Sequence, residues 1–126
     1  MLKSYPAIFH KENDDSYWIE FPDFSGGTQG DNIEEGMKNA REMLEGVVAS
    51  YLDEGLSLPH ASDIQKIGVD DGFATLIQVD PTPYLKNNKA IRKNVTVPEW
   101  LVRFADREHL NYSEILTQAL EKKLQI

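Results

Sequence analysis

The sequence predicts an α+β fold in two parts, a small antiparallel sheet packed against one long helix and then a strand-helix-helix module. Three features predict it. Two aromatic-rich apolar runs near the N-terminus flank a polar turn cluster. The segment after them repeats apolar residues every three or four positions. Near the C-terminus, "RKNVTVPEWL", residues 92–101, changes from two-residue alternation to helical spacing at a proline.

The first run, Tyr5 to His10, and the second, Ser16 to Phe21, are joined by Glu12, Asn13, Asp14 and Asp15, residue types that favour turns, so the pair reads as a hairpin. "SGGTQGDN" follows, with glycines that permit tight turns around a short third strand near Thr28. Ile33, Met37, Ala40, Leu44, Val47 or Val48, and Tyr51 then form one face of an amphipathic helix ending near Glu54-Gly55. Asn32 is placed as its N-cap and Glu35 as the capping-box partner. "LSLPHASD" reads as a loop and Phe73 to Val79 as a further strand. The front domain is thus expected over 1–83. "PTPYLKNNKA", residues 81–90, is a short helical turn followed by a tether, with the linker at 84–89.

In the back domain, residues 90–126, Arg92, Asn94 and Thr96 alternate with Lys93, Val95 and Val97 in a strand that runs into a helix at Pro98. Leu101, Phe104 and Ala105 repeat on one side of that helix, expected from Pro98 to Arg107. A break at "EHLN" precedes a second helix, Tyr112 to Lys123, with Asn111 as N-cap, Glu114 three residues on, and Ile115, Leu116, Ala119, Leu120 and Leu124 on its apolar face. So short a unit has more apolar surface than one copy can bury. The expected solution is a dimer whose two strands pair antiparallel under four helices.

Composition narrows the function classes. With no cysteine, disulfides and thiolate metal sites are excluded, and His10, His60 and His109 lie in three separate settings without ligand spacing, so neither a metal nor a cofactor is expected. The absence of a run of about 18 apolar residues, or of a charged-then-apolar leader, points to a soluble cytoplasmic protein without a membrane partner. The net charge of −8 conceals a split: residues 1–83 hold 5 Lys/Arg against 16 Asp/Glu, whereas residues 84–126 hold 8 against 5. Opposite charge balance in the two halves suggests two different partners.

Glu20, Asp23, Asp31 and Asp80 fall at or just after strand ends, where paired carboxylates can hold a divalent cation or carry acid-base chemistry. None sits in a motif of diagnostic spacing, and a solvated acidic face accounts for the same residues. Gly26, Gly27 and Gly30 do not make a phosphate loop, because GxxxxGK[ST] is absent and the next helix opens with acids that repel phosphate.

Pairing two copies of residues 91–97 gives a ribbon with Ile91, Val95 and Val97 on the inner row and Arg92, Asn94 and Thr96 on the outer. A two-stranded ribbon fits the DNA major groove, where Arg can contact guanine, Asn adenine, and Thr a hydroxyl acceptor or the thymine methyl. The start of the second helix, Asn111, Tyr112 and Ser113, offers free amides to backbone phosphate. The bland alternative is a polar edge strand with a dimerisation tail.

The stretches "YPAIF", "YWIEFPDFSGGTQGDNIEEGMKNAREML" and "RKNVTVPEWLVRFADREHLNYSEIL", spanning nearly the whole chain, resemble the HicB antitoxins of bacterial toxin-antitoxin pairs, and the back segment resembles ribbon-helix-helix repressors. The resemblance implies a front domain with a partial, noncatalytic RNase H-like fold that covers a HicA toxin, a small double-stranded-RNA-binding-like mRNA ribonuclease. It also implies a back domain that represses the operon encoding both proteins, with operator reading carried by Arg92, Asn94 and Thr96 and phosphate contact by the start of the second helix. The chain departs from the family at Ser25-Gly26-Gly27, where Pro-Gly-Cys is common, and at Lys93, where the family has an apolar residue and where a charged stem would have to snorkel.

A nuclease that grips RNA phosphates presents a basic face, which the acidic front can occupy, while affinity comes from a buried apolar centre. Trp18, Glu20, Asp23 and Phe24 are the candidate toxin-binding residues, with Phe21 as a further aromatic on the core-facing side of the strand. The alternative reading is an RNase H-like metal-dependent nuclease tethered to DNA by its tail, which would need clustered carboxylates. The partners expected are a toxin, operator DNA and a second copy of the chain, with dimers able to associate further.

Overall fold

The computed structural model describes residues 1–126 and divides into two compact units, Leu2–Asn88 and Lys89–Ile126, the second including Met1. In the first, β1 (Lys3–Lys11), β2 (Tyr17–Glu20), β3 (Gly27–Gly30) and β4 (Gly72–Val79) form one antiparallel sheet in the order β3-β2-β1-β4, and α1 (Ile33–Asp53) covers one face.

The hairpin closes where Glu12 N donates to Ser16 O and Asp15 adopts a left-handed φ of 66°. Asp14 braces the turn by accepting from Ser16 N and Oγ, bonds that hold its carboxyl below the usual carboxylate range. Pro6 sits in a central strand, where a missing N–H would normally break a ladder. Lys11 N donates to Asp71 O, so the odd residues of β1 bond toward β4 and the even ones toward β2. Pro6 therefore faces the β2 side beyond Glu20, where β2 has ended and no acceptor is lost.

The core lies between sheet and helix: Tyr5, Ala7 and Phe9 from β1, Ile19 from β2, Ile77 and Val79 from β4, with Phe21 and Phe24, meet Ala40, Leu44 and Val48 of α1. The buried stripe of α1 is Gly36, Ala40, Leu44, Val48 and Ala49. Ile33, expected on this face, is 48% exposed, and Met37 only lines the core. The reason is Gly36: a Cβ there would stand 2.9 Å from Ile19 Cδ1 and 3.0 Å from Phe9 Cε2, so its absence sets which face closes on the sheet. Asn32 caps α1 by accepting from Glu35 N, and Glu35 reaches back to Asp31 N, one residue before the amide a standard capping box uses.

The stretch read as a linker begins as part of this unit. After the short helical turn Thr82–Tyr84, Lys86 N donates to the Asp53 carboxylate at the end of α1 and Asn88 donates to Thr82 O and Pro83 O.

The second unit contains α2 (Glu99–Arg107) and α3 (Tyr112–Leu124). The expected strand over 92–97 is not formed: residues 90–98 carry no regular secondary structure and are exposed. The physical reason is direct, since a strand is defined by its ladder and nothing within the chain pairs with this segment.

Candidate functional site

Alternation along the sheet puts Trp18 and Glu20 of β2 on the face turned away from α1, with Ile8 and His10 beside them on β1 and Gln29 and Gly27 on β3. Trp18 is 41% exposed. Its ring lies across Gly27, where an added Cβ would stand 2.7 Å from ring carbons, so the glycine lets the indole lie flat on the sheet as an apolar plate. Gly27 therefore shapes this surface as well as a turn. Glu20 Oε1 lies 2.7 Å from His10 Nε2, joining the plate to a polar pair on the neighbouring strand.

The other two expected toxin contacts are placed differently. Phe24, retaining 9% of its exposure, is packed edge-on against Tyr5 at 4.7 Å and Tyr51 at 5.4 Å between ring centroids. The expectation of an exposed anchor there is corrected to a core residue, because the chain turns after Phe21 and carries Phe24 onto the helix side. Asp23 accepts from Ser62 N at 3.0 Å and Ser62 Oγ at 2.5 Å, fixing the loop that follows α1. Tyr5 ties down the same loop by donating to Pro59 O at 2.8 Å; burial, with Asp23 and Tyr51 nearby, pushes its hydroxyl above the usual tyrosine range.

The carboxylates a nuclease would need together serve separate local purposes. Glu20 faces His10, Asp23 holds Ser62, and Asp80 accepts from the Thr82 side chain and from Thr82 N, bonds that hold its pKa below the ordinary carboxylate value. No group of three or more His, Asp or Glu side chains is arranged to hold a metal ion.

In the second unit Arg92, Asn94 and Thr96 are all exposed, and none is bonded to Asn111, Tyr112 or Ser113. Asn111 caps α3 by accepting from Glu114 N at 3.1 Å. The amides of Tyr112 and Ser113 then project from the helix start with no intrahelical acceptor, as helix geometry requires. The Tyr112 hydroxyl is committed elsewhere: it donates to Asp106 at the end of α2, near Val102 O, and this bond raises its pKa above the tyrosine norm. Tyr112 thus offers its amide, not its hydroxyl, to an anion.

Sequence reasoning missed Gly27, His10 and Asp106. The first two were recoverable from strand parity once the hairpin register was fixed; Asp106 was not, because its partner lies across a helix-helix turn.

Residues 5–120 match the family model described as HicB-like antitoxin of bacterial toxin-antitoxin systems. An uncharacterised 14.9 kDa protein from the rep-hol intergenic region of Haemophilus phage HP1 is 30% identical over 131 residues, covering 95% of this chain and 96% of its own length. Among solved structures, a chain of a toxin-antitoxin complex from Streptococcus pneumoniae superposes with a TM-score of 0.64 at 29% identity, covering 98% of this chain and 99% of that one. The antitoxin HicB of Burkholderia pseudomallei gives 0.66 at 24% identity over 97% and 98%, a likeness of fold. The chain belongs to the HicB-like antitoxin family of bacterial toxin-antitoxin systems.

Proposed function

We propose that the front unit binds and neutralises a HicA-type mRNA ribonuclease and that the back unit forms a ribbon-helix-helix dimer that represses the operon of the pair. The observation that carries the second half is the exposure of the back unit. No residue after Pro81 is buried, while Ile91, Val95, Trp100, Phe104, Leu120 and Leu124 each remain more than half exposed. So continuous an apolar surface needs a partner, and a second copy supplies both the missing ladder for residues 91–97 and a shared core for α2 and α3. The outer row of that ribbon is Arg92, Asn94 and Thr96, suited to base edges, with the Tyr112 and Ser113 amides set for phosphate.

For the front unit, the exposed Trp18 plate within residues 1–83, which hold 16 acids and 5 bases, supports docking of a basic protein. The front is read as a noncatalytic, partial RNase H-like scaffold. The separate engagement of Glu20, Asp23 and Asp80 favours this over the metal-dependent nuclease.

Binding to the DNA upstream of its own gene, and to a scrambled duplex, tests the repressor half. Arg92→Ala should lose about 1–3 kcal/mol per bidentate contact on the operator alone. Ser113→Pro, which deletes a first-turn amide, should weaken both duplexes alike and reduce the salt slope by about one per contact. Equal losses on both duplexes for Arg92→Ala would show that the polar row does not read bases.

A further inference from the structure

The positive charge at the back of the chain is concentrated in one short segment. Residues 84–98 hold Lys86, Lys89, Arg92 and Lys93 and no acid, whereas residues 99–126 hold four bases and five acids. Each base on the helices has a local role. Arg103 pairs with Glu99 at 3.0 Å, Arg107 lies 5.4 Å from the centre of the Phe104 ring, and Lys122 and Lys123 occupy the last turn of α3, where the helix dipole favours cations. By contrast, the side chains of Lys86, Lys89, Arg92 and Lys93 are in exposed residues and make no ion pair or hydrogen bond. The backbone at the start of the segment is nonetheless anchored, by Lys86 N on the Asp53 carboxylate and by Asn88 on Thr82 O and Pro83 O. Free amines thus follow a fixed stretch of backbone.

We infer that Lys86 and Lys89 form a cationic arm that grips the phosphates of DNA flanking the stretch read by Arg92, Asn94 and Thr96. The partner follows from position and charge. Lys89 lies three residues before Arg92 and Lys86 three before Lys89, steps of at most about 10 Å in extended chain. With Arg92 on a base edge, both amines therefore run along the rim of the groove, where the phosphates lie. In an antiparallel ribbon the two chains enter from opposite ends, so the arms extend over DNA on both sides. Lysine suits this role, because it binds phosphate as a point charge on a flexible stem. The arm also offsets a repulsion. Residues 1–83 carry 16 acids against 5 bases, and the chain from Asn88 to Arg92 spans at most about 14 Å. A body so acidic, tethered within about two Debye lengths of the duplex, is repelled by it, and cations at the junction neutralise the nearest phosphates. An acidic protein surface would also attract free lysines, but the short step to Arg92 favours DNA. The arm rests on the repressor reading of the back unit and adds to it affinity that is independent of sequence, where Arg92 and Asn94 supply discrimination.

Hydroxyl-radical footprints and salt titrations of the full chain on the DNA upstream of its own gene test the arm. The wild-type protein should protect backbone positions beyond both ends of the stretch whose bases it reads. Lys86→Gln combined with Lys89→Gln should lose that flanking protection and keep the central footprint. With two lysines on each of two chains, the salt slope should shrink by about 3 to 4, and affinity at about 0.1 M salt should fall by about tenfold or more, on operator and scrambled duplex alike. Lys86→Arg combined with Lys89→Arg keeps both charges and should restore slope and flanks. Arg92→Ala separates the two readings, since it should lose operator preference and keep the flanking protection. Both lysines are exposed and the Lys86 amide survives each change, so the variants should unfold at the wild-type temperature. An unchanged slope and unchanged flanks in the glutamine variant would overturn the arm and leave the repressor reading standing. A glutamine variant that keeps its slope but loses self-association would overturn the arm too, assigning the lysines to an acidic surface of a second copy. Failure of the wild-type protein to bind the duplex at any salt concentration would overturn both readings.

Discussion

His10 of β1 and Glu20 of β2 meet diagonally across the two strands, Nε2 to Oε1 at 2.7 Å, with the exposed ring of Trp18 directly opposite His10. The three form the part of the open sheet face where an apolar plate and a hydrogen-bonded polar pair adjoin, the composition expected at the centre of a protein interface.

Trp18 and Phe24 should behave in opposite ways. Trp18→Ala is expected to lower toxin affinity by about 2–4 kcal/mol with little change in thermal stability, because it removes a half-exposed plate. Phe24→Ala should destabilise the front unit by about 3–5 kcal/mol, because it opens a cavity between Tyr5 and Tyr51. Calorimetric binding and thermal unfolding of both variants separate the two roles.

The close approach of sheet and helix gives a second test. A Cβ at Gly30 would stand 2.4 Å from Gly36 N, so the clash is with backbone and no rotamer relieves it. Gly30→Ala should destabilise by about 1–3 kcal/mol, the range of overpacked cores. Gly46→Ala, on the open side of the same helix with nothing within 4 Å of the new methyl, should instead be neutral or stabilising by up to about 1 kcal/mol. Urea denaturation of the two variants compares them directly.

Tyr5 makes the front unit sensitive to alkali. Its hydroxyl is held protonated by burial, near Asp23 and Tyr51, so its folded pKa lies above the unfolded one. The stabilisation from a raised value is complete below the unfolded value near 10 and is lost as pH rises through the folded value. Tyr5→Phe should lose about 1 kcal/mol at neutral pH with the bond to Pro59 O, and its stability should fall less steeply above pH 10. Denaturation midpoints across alkaline pH check both effects.

Leu116→Asp should disrupt assembly of the back unit and DNA binding together, since a charge on the shared apolar face is buried only in the dimer. Light scattering and a gel shift on one preparation check this; a wild-type monomer at micromolar concentration would contradict the dimer.

What the sequence revealed depended on how local the determinants were. Both helix caps were legible, because Asn32 with Glu35 and Asn111 with Glu114 are fixed by a three-residue separation. The hairpin was legible from its apolar runs and its turn residues. The helix face was misread by one position at Ile33, because an apolar count gives no weight to Gly36, whose role is to lack a side chain. Trp18 lies within the second apolar run, where strand parity places it outward, while Phe24 lies beyond Phe21, where no parity holds and only the tertiary turn places it. The alternation over 92–97 is present in the sequence, yet no strand forms there in the single chain, because nothing within the chain supplies a ladder for it.

The central claim is that this chain silences a ribonuclease by occupying its RNA-binding face. Cleavage of a structureless mRNA by the protein encoded in the neighbouring reading frame, titrated with the full chain, tests it most directly. The account predicts that cleavage stops at a fixed stoichiometric ratio and that Trp18→Ala shifts or abolishes that endpoint. Undiminished cleavage in the presence of excess folded chain would contradict it.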